Sequence, residues 1–217
     1  HVFLEQARRP PEIPELQFED EYITNSSGLI REKITITPQL WAPRSPKLYK
    51  VIISTASETI SDEIGFRSIK TQGQKLFLNN NEIKFKGIAM HSEPIGIAGP
   101  AYSKAHFQVL LSTAKDLNIN FIRAAHYPYT RHLAKVADRF GLMLWEEVPV
   151  YWNIDWNNPQ TLDIAKNQIS RLVQRDQNRA SVVVWSVANE TPLSNARMTF
   201  LNTLLAEIEL NDSSRLS

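Results

Sequence analysis

Apolar and amphipathic segments alternate from about residue 75 onward, and this alternation restricts the fold more than any other feature of the sequence. Four short, mainly apolar segments have the composition of β-strands: 83–89, 120–124, 142–145 and 181–187. Apolar residues at helical spacing follow each segment, as Phe107, Leu111 and Ala114 do after the first. Strands that are apolar along their whole length are usually buried on both faces, so the pattern predicts a parallel sheet covered by helices.

Several residues mark the ends of the predicted helices. A helix over about 130–140 is expected to stop at Gly141, because glycine readily takes the left-handed conformation that closes many helices. Asn158 followed by Pro159 is typical of a helix start, and Ser194 is a candidate cap for the fourth helix. We therefore expect four βα units.

Two architectures accommodate such units, an open doubly wound sheet and a TIM barrel. The open sheet usually carries a glycine-rich first turn that binds a nucleotide. The chain has 7 glycines in 217 residues, and none lies in a G-x-G-x-x-G or P-loop pattern. A complete barrel would need eight units. Both architectures stay open at this point, and no nucleotide cofactor is expected.

The first 70 residues follow a different pattern. Six of the 12 prolines precede residue 47, and no helical period is visible. The alternating segment Lys33–Thr37 and the β-branched segment Leu48–Ser54 are both predicted to be strands. We interpret residues 1–70 as part of an antiparallel β-sandwich, shorter than the roughly 100 residues of a complete one, and residues 71–217 as an α/β domain.

Charge and cysteine content exclude several classes of function. Lys and Arg number 24 against 23 Asp and Glu, so with a net charge of +1 we expect neither nucleic-acid binding nor a basic membrane anchor. No apolar run reaches the roughly 18 residues of a transmembrane helix. The absence of cysteine excludes disulfides, thiolate nucleophiles and cysteine-bound zinc, and it leaves the cellular compartment open.

Polar and ionisable side chains collect where the predicted strands end. In parallel α/β folds the reactive groups lie beyond the carboxyl ends of the strands. The four predicted ends carry, in chain order, His91, then Arg123 and His126, then Glu147, Trp152 and Trp156, then Asn189 and Glu190. Because these ends share one edge of the sheet, we expect them to form a cleft.

Glu190 is the strongest catalytic candidate in this cleft. It follows a strand of Val and Trp, a dry setting that favours the protonated carboxyl of a general acid. The alternative is a strand-end glutamate that pairs with the first turn of the next helix. His91 and His126 fit catalytic bases, metal ligands or structural histidines bonded to backbone carbonyls. Arg123 fits either a ligand-binding group or a neutralising partner for a nearby glutamate.

The tryptophans also have two interpretations. Trp152 and Trp156 lie in a loop, where they either offer flat faces to a sugar ring or pack in the core. Trp145 and Trp185 lie inside strands, where core packing is expected.

The carboxylates Glu146 and Glu147 are adjacent, so only one of them can point at the site. A metal site built from His91, His126 and Glu147 lacks the H-x-x-x-H or E-x-x-H spacing of common metal motifs, and we expect no metal. A Ser-His-Asp triad likewise lacks a G-x-S-x-G motif.

Motifs between about residues 40 and 217 follow the order found in one enzyme family. They are Trp41–Tyr49 (W-x-P-x-x-P-x-L-Y), Gly65–Ile69 with 78–80, 85–87 and His91, Phe121–Pro128 (F-I-R-A-A-H-Y-P), and Trp185–Glu190 (W-S-V-A-N-E). Together they resemble glycoside hydrolase family 2, in which an immunoglobulin-like sandwich precedes a TIM barrel. The resemblance implies the end of that sandwich over 1–70, followed by the first half of the barrel, about four βα units, over 71–217.

The resemblance also implies a function. It points to a retaining exo-β-glycosidase acting on terminal β-glucuronides, β-galacturonides or β-galactosides. Glu190 would be the general acid/base, and Asn189 would hydrogen-bond the sugar 2-hydroxyl. By the same resemblance, His91, Arg123 and His126 would line the sugar-binding subsite, and Glu147 would orient its neighbours.

The sequence departs from the family pattern in two respects. The family's nucleophile is a second glutamate on the seventh barrel strand, so we expect it to lie beyond residue 217 and expect these residues alone to be inactive. Large β-galactosidases of the family bind magnesium through Glu-x-His after the third strand, where Tyr151, Trp152 and Asn153 stand here.

One alternative function is a non-catalytic carbohydrate-binding or interaction protein on the same fold, which would keep Trp152, Trp156 and Arg123 but need no acid. Half a barrel would also leave sheet edges and one face open, so we expect exposed apolar surface or self-association, including a homo-oligomer.

Overall fold

The computed structural model describes residues 2–6, 19–94, 96 and 98–217, and residues 2–6 by their backbone alone. The first sheet is antiparallel, and its strands are β1 (Val2–Gln6), β2 (Glu19–Asp20), β3 (Tyr49–Ser54) and β4 (Thr59–Ile64). They lie in the order β2-β1-β3-β4. Strand β3 confirms the strand predicted at Leu48–Ser54.

The segment Lys33–Thr37 is not a strand, so that prediction is wrong: residues 31–40 have no regular secondary structure. The alternation is nevertheless visible in the burial of the side chains, since Ile34 and Ile36 are half-buried while Lys33 and Thr35 are exposed. An alternating pattern records which side chains face the protein, whereas a strand also requires a neighbouring strand to pair with.

A short antiparallel sheet follows, formed by β5 (Ile69–Gln72), β6 (Lys75–Leu78) and β7 (Asn81–Ile83). The segment predicted as one strand over 83–89 is divided, because β7 ends at Ile83 and β8 (Gly87–Met90) belongs to another sheet. The side chain of Asn120 accepts a hydrogen bond from the Lys86 N–H at 2.8 Å and donates one to the Lys84 carbonyl at 2.9 Å. These backbone groups are therefore satisfied without a strand partner.

Strands and helices then alternate as predicted. After β8 the elements are α1 (Lys104–Asp116), β9 (Phe121–Ala124), α2 (His132–Phe140), β10 (Met143–Glu147), α3 (Pro159–Asp176), β11 (Val182–Ser186) and α4 (Asn195–Asn211). The four strands are parallel and lie in the order β11-β10-β9-β8. Leu216 forms a parallel bridge with Val184, so the sheet continues beyond β11.

The helix boundaries have the capping residues that the sequence indicates. The hydroxyl of Ser194 accepts a hydrogen bond from the Arg197 N–H at 3.1 Å, and the side chain of Asn158 accepts one from the Gln160 N–H at 2.9 Å. Gly141 ends α2 with a φ of 66° and packs against the backbone of Pro43, where a side chain would collide. None of the helices in the described part of the chain is long and apolar enough to cross a membrane.

The parallel sheet is covered on both faces, but by different partners. Ile122, Leu144 and Trp185 face the helices and join one large buried cluster with them. On the other face, the side chains near the amino-terminal ends of the strands pack against the segment before the sheet; the cluster contains Phe121, Met143, Val183, Trp41, Ile69 and Leu78. The apolar packing thus occupies the amino-terminal end of the sheet, and the carboxyl end is left for polar groups.

A buried ionic network joins the first sheet to the α/β part. Arg179, whose side chain is 3% exposed, lies 2.6 Å from Asp62 and 3.4 Å from Asp138, and it donates to the Glu63 carbonyl at 2.9 Å. Asp138 also accepts from the Ser181 N–H at 2.8 Å. Burial raises the pKa of Asp138 to about 6 even though Arg179 opposes the shift. Strand β4, helix α2 and the residues before β11 are therefore connected by one guanidinium.

We predict that Arg179→Ala lowers the free energy of unfolding by about 3–5 kcal/mol, because it leaves the buried carboxylate of Asp138 without its cation. Urea denaturation measures this loss. The matched control is Lys75→Ala, which removes an exposed ion pair with Glu82 and is expected to cost less than about 1 kcal/mol. Equal losses in the two variants would show that the network does not stabilise the junction.

Candidate active site

The carboxyl ends of the parallel strands bring four of the predicted site residues into one hydrogen-bonded network. Arg123 comes from β9 and His126 from the loop after it, while Glu147 ends β10 and Asn189 follows β11. Arg123 donates hydrogen bonds to Glu147 and Asn189, and Nδ1 of His126 lies 2.6 Å from a carboxyl oxygen of Glu147. The sequence therefore predicted correctly that these side chains meet at one edge.

Glu147 is the centre of this network. Its side chain is 1% exposed, and its oxygens accept from Arg123 Nη2 at 3.0 Å, Arg123 Nε at 3.2 Å and Trp145 Nε1 at 3.2 Å. Nδ1 of His126 lies 2.6 Å from Oε1 of Glu147. A buried carboxylate with this many donors is held in one orientation, and it holds its donors in turn.

The network fixes the orientation of Asn189 and of His126. Arg123 Nη2 is only a donor, and it lies 2.9 Å from the Asn189 side-chain oxygen. The amide nitrogen of Asn189 therefore points away from Arg123, with its two N–H groups available to another acceptor. Since Nδ1 of His126 is engaged by Glu147, its Nε2 is the ring nitrogen left to meet a ligand.

Glu190 is exposed at this edge, and its backbone has a left-handed φ of 49°. The low-polarity surroundings expected from its position after an apolar strand are therefore not found among the described residues: β11 is buried, but the chain has left the sheet by residue 190. Trp152 donates from Nε1 to Oε2 of Glu190 at 3.3 Å. Two backbone hydrogen bonds join the segments that carry them: the Asn189 N–H donates to Val150 at 2.9 Å, and the Trp152 N–H donates to Asn189 at 3.2 Å.

His91 contacts a residue of this network, whereas Trp156 contacts a helix. The exposed His91 ring lies edge-on to the His126 ring, with centroids 5.5 Å apart, so it borders the same cleft. Trp156 is half-buried and packs edge-on against Phe200 of α4, with centroids 5.3 Å apart. Packing explains the position of Trp156, and its role as a sugar platform stays a prediction.

Two aromatic residues that were not among the predicted site residues, Trp145 and Tyr151, also lie beside the network. Trp145 packs against a buried cluster, as expected for a strand residue, and its ring also lies 5.0 Å from the Arg123 guanidinium while its Nε1 donates to Glu147. Tyr151, which is half-exposed, lies 5.4 Å from Trp152 and 6.4 Å from His126, measured between ring centroids. A signal for Trp145 existed, because residues two apart in a strand share a face and Trp145 precedes Glu147 by two. Trp185 is fully buried, as expected.

The described part of the chain holds no group of three or more His, Cys, Asp or Glu residues that could bind a metal ion. Glu147 is one of the three residues considered as metal ligands from the sequence, together with His91 and His126. The guanidinium of Arg123 lies 3.0 Å from it and supplies a positive charge there.

Family models match almost all of the chain. The model described as "Glycosyl hydrolases family 2, TIM barrel domain" matches residues 69–217, and the model described as "Glycosyl hydrolases family 2" matches residues 14–67. The matches confirm the predicted fold class, a sandwich domain followed by part of a TIM barrel, and decide against the open doubly wound sheet.

Individual relatives carry three different names. The chain is 31% identical over 160 residues to a β-galactosidase of Arthrobacter sp. (strain B7). This match covers 70% of this chain and 16% of that protein. It is 31% identical over 171 residues to a β-glucuronidase of Streptococcus agalactiae, with 70% and 28% covered. The structure of a GH2 β-galacturonidase from Eisenbergiella tayi bound to glycerol matches with a TM-score of 0.79 at 25% identity, covering 99% of this chain and 38% of that one. The chain thus spans less than a third of these two curated relatives.

Glu146, the neighbour of Glu147, points to the opposite side of β10. Its side chain is 2% exposed, and within the described part of the chain no donor binds either carboxyl oxygen, while the carboxyl of Asp176 lies close by. Burial raises the pKa of Glu146 well above its usual range, and the nearby charge of Asp176 adds to the shift. The choice between the two glutamates is thereby resolved: Glu147 faces the cleft, and Glu146 lies behind it.

Glu146→Gln should change the pH dependence of stability in a defined direction. Because folding raises the pKa of Glu146, the wild-type free energy of unfolding falls as the pH rises from about 4.3, the usual glutamate value, to the value in the folded protein. Glutamine does not ionise, so the variant should gain stability relative to wild type over that interval, by at most about 1.4 kcal/mol per pH unit.

Thermal unfolding of both proteins between pH 4 and pH 9 measures this difference. Glu58→Gln, at an exposed glutamate, serves as the matched control. A constant offset between wild type and Glu146→Gln across that range would contradict the prediction.

Proposed function

Because the chain belongs to glycoside hydrolase family 2, we propose that it forms the acid/base half of a retaining β-glycosidase site. Glu190 donates a proton to the glycosidic oxygen while the bond from that oxygen to the anomeric carbon breaks. In the second step it removes a proton from the water that hydrolyses the glycosyl-enzyme. An exposed carboxyl at the edge of the cleft is suited to both steps, since it must reach the leaving group and then a water molecule.

The observation that carries the proposal is the oriented network directly beside Glu190. Arg123 fixes the Asn189 side chain so that its amide nitrogen faces away from the guanidinium. That nitrogen can donate to the 2-hydroxyl of a bound sugar, a contact that strengthens as the transition state gains oxocarbenium character. Asn189 and Glu190 are consecutive, so the group that binds the sugar and the group that moves the proton are positioned together.

The remaining predicted residues form the sugar subsite in this proposal. His126 offers Nε2 and His91 offers an exposed ring, which suit hydroxyl groups at the rim of the subsite. Glu147 acts by orienting Arg123 and His126. Trp152 and Trp156 remain the candidates for flat apolar contact with a sugar or its aglycone.

A retaining site needs a second carboxylate about 5–5.5 Å from the acid/base. Glu147 is unsuited to that role, because Arg123, His126 and Trp145 already bind its oxygens. We therefore place the nucleophile on a segment of the whole protein outside these residues, as the family resemblance implies. The limited share of the relatives that the chain covers is compatible with this assignment.

For the substrate we propose a class of sugars and not one particular sugar. The relatives are named β-galactosidase, β-glucuronidase and β-galacturonidase, so the candidate substrates are terminal β-galactosides and β-uronides. The 4-nitrophenyl glycosides of galactose, glucuronic acid and galacturonic acid distinguish these classes in one assay of the full-length protein.

We predict that Glu190→Gln in the full-length protein lowers kcat/KM roughly 10²–10⁴-fold on a phenyl β-glycoside, which needs protonation of its leaving group. In a 2,4-dinitrophenyl glycoside of the same sugar, the 2,4-dinitrophenolate departs without being protonated. Cleavage of that glycosidic bond should therefore be affected far less. Steady-state and pre-steady-state kinetics measure both effects.

Glu58→Gln, remote in sequence and exposed, is the control that should keep wild-type kinetics. Wild-type turnover of the phenyl glycoside by Glu190→Gln would remove Glu190 from the acid/base role. Sugar binding without turnover in the unmodified protein would favour a carbohydrate-binding function instead.

A further inference from the structure

We propose that Trp152 is a positioning residue for Glu190, and that its indole N–H holds one oxygen of the acid/base carboxyl so that the other oxygen carries the proton. The inference rests on the function proposed above and adds to it a residue that acts through Glu190. This role differs from stacking of the indole face against a sugar ring, because it depends on the N–H at the edge of the indole ring.

The backbone around these two residues is fixed by pairing between their loops. The Asn189 N–H donates to the Val150 carbonyl at 2.9 Å, and the Trp152 N–H donates to the Asn189 carbonyl at 3.2 Å. Tyr151 and Asn189 accordingly form a parallel bridge outside the regular strands. The residues that precede Glu190 and Trp152 are therefore paired in register. This pairing fixes the relative position of the two backbone segments from which the side chains project.

Both residues have a backbone conformation that is uncommon for residues with a side chain. The φ angles are 58° at Trp152 and 49° at Glu190, in the left-handed region that favours glycine. Such conformations persist when the surrounding structure enforces them, and they are concentrated at functional sites. Here the two turns direct the indole N–H and the carboxyl towards each other, with 3.3 Å between Nε1 and Oε2.

The donors of the neighbouring network are committed to other acceptors. Arg123 donates to Glu147 and to Asn189, and Nδ1 of His126 lies against Glu147. In the described part of the chain, Trp152 is the residue whose side chain donates to Glu190. The side chain of Trp152 is 65% exposed, and its ring meets the Tyr151 ring edge-on with 5.4 Å between the centroids.

The indole of Trp152 can form only one kind of hydrogen bond with the Glu190 carboxyl. Its N–H donates and cannot accept, so it binds a carboxyl oxygen and favours the ionised form of that carboxyl. When Glu190 gives its proton to the glycosidic oxygen and the bond to the anomeric carbon breaks, the carboxylate that remains is the form that Trp152 stabilises. The same contact holds the carboxylate while it takes a proton back from water.

The test is Trp152→Phe in the full-length protein, a change that keeps an aromatic ring and removes the N–H. We expect kcat/KM for the phenyl β-glycoside of the accepted sugar to fall roughly ten-fold, mainly through kcat, which is the effect of one hydrogen bond to a charged group. The 2,4-dinitrophenyl glycoside should change less than about two-fold in the step that breaks its glycosidic bond, because that step needs no proton.

A second variant and a control complete the test. Trp152→His restores a ring N–H donor and should recover part of the lost rate on the phenyl glycoside. Glu58→Gln, at an exposed residue between β3 and β4, should leave the kinetics unchanged. Thermal unfolding identifies any variant that has lost its fold.

The results separate this inference from the proposed function. An equal loss on both substrates would overturn the positioning role, as would no loss at all. If Glu190→Gln itself has no effect on the phenyl glycoside, the proposed function fails, and the role of Trp152 fails with it. If Glu190→Gln is impaired and Trp152→Phe is not, only the positioning role is lost.

Discussion

The buried carboxylate of Glu147 is the constraint on which the rest of the cleft depends. It is almost wholly buried at the end of β10, so it is kept there by donors that compensate for its burial. Arg123 and His126 supply them, and both are thereby fixed in orientation. Arg123 then fixes Asn189, the residue before Glu190. The catalytic candidate is thus exposed, while the network beside it is ordered by one buried charge.

The fold separates the two ends of the parallel sheet chemically. Trp41, Ile69 and Leu78 cover the amino-terminal end of the strands with apolar side chains. The carboxyl end carries charged and amide groups that bond one another. The junction with the first sheet is reinforced by ionic contacts of Arg179. Packing and charge therefore stabilise one end and the junction, and the other end carries the polar groups of the proposed site.

Much of this arrangement could be predicted from the sequence, for identifiable reasons. The strand and helix order followed from hydrophobic periodicity, and the meeting of Arg123, His126, Glu147 and Asn189 followed from the rule that parallel strands share a carboxyl edge. The family resemblance added the barrel, and the role of Glu190 that it implies stays a proposal. The periodicity alone had left two α/β architectures open.

The errors arose where tertiary contacts override local pattern. Asn120 satisfies backbone groups that would otherwise have belonged to one continuous strand over 83–89. Lys33–Thr37 alternates, but among the described residues no neighbouring strand pairs with it. Trp145 packs against the core as expected, but its additional contacts with Glu147 and Arg123 were not predicted. Each of these outcomes depends on a residue distant in sequence or on a face of the sheet, which composition and short-range spacing do not specify.

Azide rescue of Glu190→Gly in the full-length protein tests the central claim most directly. If Glu190 is the acid/base, the glycosyl-enzyme still forms from a 2,4-dinitrophenyl β-glycoside, and azide attacks it from the face that water would use. The account predicts faster turnover with azide and a β-glycosyl azide product, identified by the anomeric coupling constant in the proton NMR spectrum. An α-glycosyl azide would contradict it, because that product arises when the missing carboxylate is the nucleophile.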